Sequence, residues 1–138
     1  MPEDVGGPHG PEFRVVVDGE PRTLSPALYD EAYRIGREAV VNAYKHSDAT
    51  VIEVALEYAR HQFTLRVRDN GRGIEAGVLR DGREGHWGLP GMRERAERIG
   101  AQLTLWSGAS AGTEVVFAVP DRIAYSAPPR SGKNRKEL

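Results

Sequence analysis

The sequence predicts an α/β fold, a two-layer sandwich in which a mixed, mostly antiparallel sheet is covered on one face by helices. Three observations predict it. Segments of period two alternate along the chain with segments of helical period. Two pairs of period-two segments follow one another through short links, as antiparallel hairpins do. The chain has 138 residues, 39% hydrophobic and 28% charged, which suits one globular unit large enough to bury a core.

The elements follow in order. Residues 1–12, MPEDVGGPHGPE, are rich in Gly, Pro and acids and read as a linker or added residues that bury nothing. Phe13-Arg-Val-Val-Val17 is β-branched and ends at Asp18-Gly19, a strand and then a turn. Ser25-Pro26 opens a helix, with Ser as cap and Pro in the first turn. Leu28, Ala32, Ile35, Ala39 and Ala43 hold the helical spacing and carry it to about Lys45. Val51 to Tyr58 alternates with Ile52, Val54, Leu56 and Tyr58 on one face, and Gln62 to Arg68 with Phe63, Leu65 and Val67 facing in. Asp69-Asn70-Gly71 breaks that strand. Six glycines between residues 71 and 88 give a loop with at most a short helix near Glu75–Leu79. Leu89, Met92, Ala96 and Ile99 mark a second helix that Gly100 stops. Gln102 to Trp106 and Thr113 to Val119 are the last strands. Residues 13–125 form the domain, and residues 126–138 read as a solvated basic tail.

Several functions are excluded early. Nineteen Lys and Arg against twenty Asp and Glu leave a net charge of −1, which argues against coating nucleic acid or an anionic membrane. No apolar run reaches the roughly 18 residues needed to cross a bilayer, so no insertion by this chain is expected. There is no cysteine, so disulfides, thiol nucleophiles and Cys-held metals drop out together. The four histidines show no metal-site spacing.

Chemistry concentrates in three places. Glu38, Asn42 and Lys45 fall on one stripe of the first helix. An acid, an amide and an amine in line can orient a water, ligate a hard cation and meet a phosphate; one Asn oxygen beside nucleotide phosphates would hold Mg²⁺, which keeps several waters. The spacing alone equally describes a solvated amphipathic face. Asp69 follows Phe63, Leu65 and Val67 at even steps, and Thr113 precedes Val115, Phe117 and Val119 likewise, so both point to the buried side. There they need hydrogen-bond partners, which a ligand's amino group and ring nitrogen would supply. A turn in which the Asp69 carboxylate takes backbone amides stays open as the other reading. Gly85-His-Trp-Gly-Leu-Pro-Gly-Met92 opens the second helix, where glycines and free amides let a di- or triphosphate approach. His86 reads as a phosphate contact or as a solvated loop residue.

Taken together, Glu38-Ala-Val-Val-Asn-Ala-Tyr-Lys-His46, Asp69-Asn-Gly-Arg-Gly-Ile74, Gly85-His-Trp-Gly-Leu-Pro-Gly-Met-Arg-Glu-Arg-Ala96 and Gly112-Thr-Glu-Val-Val-Phe117 occur in the order of four family boxes. They resemble the N, G1, G2 and G3 boxes of the GHKL ATPase superfamily, named for gyrase, Hsp90, histidine kinase and MutL. The Lys-His ending and the Gly-Met-Arg-Glu-Arg-Ala run are most similar to the nitrate-sensor and DesK-like branch of bacterial sensor histidine kinases, and within it to kinases with a two-component regulator propeller. The resemblance covers residues 13–120. It implies ATP and Mg²⁺ as ligands, with Asn42 holding the metal and Glu38 acting as general base or orienting the acceptor. It implies that Lys45 and His46 contact phosphates, and that Asp69 bonds the adenine amino group with Thr113 beside it. It implies that Gly71, Gly73 and Ile74 lie along the base, that Gly85, His86, Gly88 and Leu89 line the phosphates, and that residues 75–87 form an ATP lid.

Two departures qualify the resemblance. Two residues, in place of the usual one, separate Gly85 from Gly88, and Pro90 removes one amide from the phosphate cradle. No histidine sits on a long helix of the kind that accepts phosphate in such kinases. The resemblance therefore implies a catalytic module alone, monomeric by itself and inactive without a separate dimerisation domain that bears the acceptor histidine. A response regulator would follow downstream, and the module would be the cytoplasmic part of an inner-membrane receptor. Two alternatives share the fold: a nucleotide-switched binding module without phosphotransfer, and a serine kinase of the anti-sigma-factor type.

Overall fold

The computed structural model describes residues 10–46, 48–72, 89–108 and 112–126. Its elements are β1 (Glu12–Asp18), α1 (Pro26–His46), β2 (Val51–Tyr58), β3 (Gln62–Asp69), α2 (Leu89–Arg98), β4 (Gln102–Gly108), β5 (Gly112–Pro120) and α3 (Asp121–Ala124). The five strands form one sheet in the order β1-β2-β3-β5-β4. β1 runs parallel to β2, and the other neighbours are antiparallel, so the sheet is mixed and mostly antiparallel as expected.

Parity places the core. Phe63, Leu65 and Val67 of β3 and Val115, Phe117 and Val119 of β5 are buried on the face toward the helices. Leu28, Ala32, Ile35, Ala39 and Ala43 of α1 are buried against them, as their spacing predicted. Met92 and Ala96 bring α2 onto the same core. The other face of the sheet is polar. There Arg66 bridges Glu57 at 3.2 Å and Glu114 at 2.9 Å, and Arg68 reaches Glu53 at 3.5 Å.

Some boundaries differ from expectation. β1 takes in Glu12, because its N–H donates to the Thr50 carbonyl at 2.8 Å and its backbone pairs with Val51. α3 was not expected; four residues carry too little periodicity to announce a helix. Ser25 also departs from its expected part. Its carbonyl accepts the N–H of Tyr29 at 2.8 Å, but its hydroxyl donates to the Ile123 carbonyl at 2.9 Å and ties α1 to α3. The residue anchors the helix to its neighbour in place of a side-chain cap.

Register orients the molecule. Ile52 faces Asp69, Asp69 faces Thr113, and Gly108 faces Gly112, so the start of β2, the end of β3, the end of β4 and the start of β5 share one end of the sheet. α1 leaves the opposite end, where Ser25 meets α3, and finishes four residues before β2 begins. Asn42, Lys45 and the backbone of His46 therefore belong to the same end as Asp69.

Among the described residues, two surfaces stay uncovered. β1 is one of the two edge strands, and none of its residues is buried; Val15 is 71% exposed. Beside it an apolar groove of about 470 Å³ runs between α1 and β2, lined by residues that include Tyr29, Tyr33, Val40, Val54 and Leu56.

Candidate functional site

Asp69 is the last residue of β3 and is 5% exposed. Its even step from Val67 puts the carboxylate on the core side. Gly71 N–H donates to Asp69 Oδ1 at 2.7 Å, and the backbone N–H of Thr113 bonds it from the paired strand. Burial pushes the Asp69 carboxyl up, and the two amides pull it only part of the way back. The turn reading of Asp69-Asn70-Gly71 is thus correct as far as it goes. A carboxylate accepts about four hydrogen bonds, however, so two amides leave it able to take another donor.

Thr113 is 2% exposed, and its Oγ1 lies 3.0 Å from Ser107 Oγ on β4. Three adjacent strands thereby place an acid and two hydroxyls side by side. A depression of about 350 Å³ lined by Arg68, Asp69, Trp106, Thr113 and Glu114 lies on the polar face of the sheet that Arg68 and Glu114 share, behind the side to which the Asp69 carboxylate points. Gly112 allows the strands to close here. Its φ is +90°, and a Cβ would overlap the Asp69 carbonyl. Asn70 fixes the turn from the other side. Its Oδ1 accepts the N–H groups of Thr50 and Val51, each at 2.9 Å, and its Nδ2 donates to Thr50 Oγ1 at 2.8 Å.

The stripe on α1 is only partly solvated. Asn42 is half-buried, and its Nδ2 is buried with no hydrogen-bond partner among the described residues. A buried amide without a partner costs free energy unless a ligand supplies one, and a half-turn of the amide presents the oxygen instead. This single oxygen fits Mg²⁺, whose remaining ligands come from phosphates and water. Lys45 is exposed one turn on. Glu38 is not free: Arg95 Nη2 donates to Glu38 Oε1 at 3.0 Å, and Arg95 Nε lies 3.4 Å from Glu31 Oε1.

The structure thus brings Asp69, Gly71 and Thr113 together, and puts Asn42 and Lys45 at their end of the fold. Gly73, Ile74, Gly85, His86 and Gly88, with the lid and the short helix near Glu75–Leu79, lie outside the described residues, as do the side chains of His46 and Leu89. Leu89 opens α2. Three participants escaped the sequence. Arg95 stands in the Gly-Met-Arg-Glu-Arg-Ala run without an assigned role; its clue is a cation on the flank of the Met92/Ala96 stripe, with Glu31 and Glu38 two turns apart on α1. Asn70 and Ser107 carry no such clue, because their partners depend on strand register.

Residues 28–123 match the family described as Histidine kinase-, DNA gyrase B-, and HSP90-like ATPase. The chain is 30% identical over 118 residues to the signal transduction histidine-protein kinase/phosphatase DegS of Bacillus subtilis (strain 168), covering 86% of this chain and 31% of that protein. It is 47% identical over 83 residues to the nitrate/nitrite sensor protein NarQ of Escherichia coli (strain K12), covering 59% of this chain and 14% of that protein. The chain spans less than a third of the length of either relative. In fold it is similar to the histidine kinase domain of the blue-light activated histidine kinase of Erythrobacter litoralis EL346, with a TM-score of 0.70 at 22% identity, over 86% of this chain and 55% of that one. The chain therefore belongs to the histidine kinase-, DNA gyrase B-, and HSP90-like ATPase family.

Proposed function

We propose that the chain binds Mg-ATP and presents the γ-phosphoryl group to a histidine on a separate dimerisation domain of its parent kinase. The observation that carries this reading is Asp69: a buried, ionisable acid with acceptor capacity to spare, facing Thr113, at the end of the fold where Asn42 Nδ2 has no hydrogen-bond partner among the described residues. Asp69 accepts the adenine amino group, and the Thr113 hydroxyl orients the ring through its bond to Ser107. Asn42 holds the metal. Mg²⁺ neutralises phosphate charge when it is bound. Lys45 and His46 meet the phosphates. Gly71 and Gly73 let the backbone run close to the base, with Ile74 against it, while Gly85, His86, Gly88 and Leu89 line the phosphates under the lid. Glu38 orients the acceptor imidazole or takes its proton. Positioning and charge neutralisation account for most of such catalysis, so the chain alone binds nucleotide and turns over little.

In this reading a response regulator receives the phosphoryl group next, and the chain works as a monomeric module on the cytoplasmic side of a receptor. Among the described residues no helix is long and apolar enough to cross a membrane. The test is calorimetry with Mg-ATP on Asn42→Ala and Asp69→Ala. Both are expected to lose binding while keeping a cooperative melt, and unchanged affinity in both overturns the site. Transfer of labelled phosphate to the parent's histidine-bearing domain, giving an acid-labile product, separates kinase from binding module and from serine kinase.

A further inference from the structure

We infer that Arg95 is the positioning residue for Glu38, gripping it from α2 and setting where its carboxylate points. The inference rests on the reading of Glu38 as the acid beside the transferred phosphoryl group. Glu31 and Glu38 stand two turns apart on one side of α1, and one guanidinium from α2 lies between them. The three side chains are 20, 36 and 22% exposed for Glu31, Glu38 and Arg95. This is a sheltered cluster, in which two carboxylates without the cation would repel each other.

The two contacts differ in kind. Arg95 Nη2 makes an aligned hydrogen bond to Glu38. Arg95 Nε and Glu31 Oε1 sit 3.4 Å apart, yet neither has a hydrogen-bond partner among the described residues. Glu31 thus anchors the guanidinium by charge, while the directional bond goes to Glu38. A planar, rigid fork held at two points fixes orientation in a way an ammonium cannot. Arg95 also links elements. α1 and α2 make few other contacts. A displacement of α2 therefore reaches the acid of α1 through this bridge.

The test supplies the chain with the histidine-bearing domain of its parent kinase and measures phosphoryl transfer across ATP concentrations, with Mg-ATP affinity by calorimetry. Arg95→Met is expected to lower the saturating rate by about tenfold or more while KM and Kd move less than about threefold, because orientation is lost and nucleotide contacts are not. Arg95→Lys keeps charge and solubility and is expected to fall between the two. Glu38→Gln slows transfer further, and adding Arg95→Met to Glu38→Gln is expected to change the rate less than about twofold, since the two act as one unit. Equal slowing by Arg95→Met in both backgrounds overturns the inference, as does a loss of affinity that matches the loss of rate. Should Arg95→Met fail to fold, Glu31→Gln replaces it with the same expected pattern at smaller size. Normal transfer in Glu38→Gln, with binding still lost in Asn42→Ala, removes this inference and leaves the nucleotide site standing. Normal Mg-ATP binding in both Asn42→Ala and Asp69→Ala removes the proposed function itself.

Discussion

Asp69 sets the binding role proposed for one buried acid against stability. Burial raises its proton affinity above the ordinary aspartate range, whereas in the unfolded chain it ionises lower. Its contribution to stability is then fully present below the unfolded value and is lost as pH rises through the folded value. Above its folded value the ionised group costs the empty domain stability. Asp69→Asn is expected to raise the Tm of the ligand-free chain by a few degrees at pH 7, and the gain should vanish as acid protonates the wild-type residue. The same variant should lose Mg-ATP in calorimetry. A lower Tm at neutral pH would show that the amides of Gly71 and Thr113 outweigh desolvation. Next to it, Asn70→Ala strands two backbone N–H groups, and chemical denaturation should record a loss of about 1–2 kcal/mol. Gly112→Ala forces a Cβ against the Asp69 carbonyl at positive φ, so it should cost more than about 1 kcal/mol and weaken nucleotide binding in the same sample.

At the level of elements, α1 does two jobs with two stripes. Ile35, Ala39 and Ala43 bury one, and Glu38 and Asn42 flank it. Ile35 is wholly buried, so Ile35→Ala should cost about 2–5 kcal/mol in a denaturant titration. Because Ile35 points into the core, Mg-ATP affinity of the folded fraction should change little. These elements were readable because their signals are local. Helical spacing predicted the buried face of α1, and parity predicted that Asp69 and Thr113 face inward. What could not be read depends on distant residues. Sheet order, the bond from Ser107 to Thr113, the Asn70 clamp on Thr50 and the Arg95 bridge join positions that no spacing rule connects. Ser25 shows the same limit: its cap pattern was present, but a carbonyl 98 positions away took its hydroxyl.

Across the whole molecule, ligand and fold share one equilibrium. A nucleotide that binds only the folded chain adds stability of about 2.7 kcal/mol at a hundredfold excess over Kd. Thermal melts with ATP should therefore shift upward, and removing Mg²⁺ with a chelator should cancel much of the shift if Asn42 holds the metal. An unchanged Tm at millimolar Mg-ATP would count against the site. With binding proposed at one end, the far end is left as an anchor, where Tyr125 OH reaches the carbonyls of Ala59 at 2.7 Å and Gln62 at 3.0 Å, and Arg22 lies 3.8 Å over its ring.

The edge strand β1 brings a practical cost. Val15, Val16 and Val17 meet water on a ladder whose open side has no partner strand among the described residues. Unshielded rungs of this kind invite sticking between molecules, so concentrated stocks should cloud on storage well before they lose nucleotide. A lysine in place of Val15 would act as a gatekeeper there, keeping the solution clear and the binding curve unchanged.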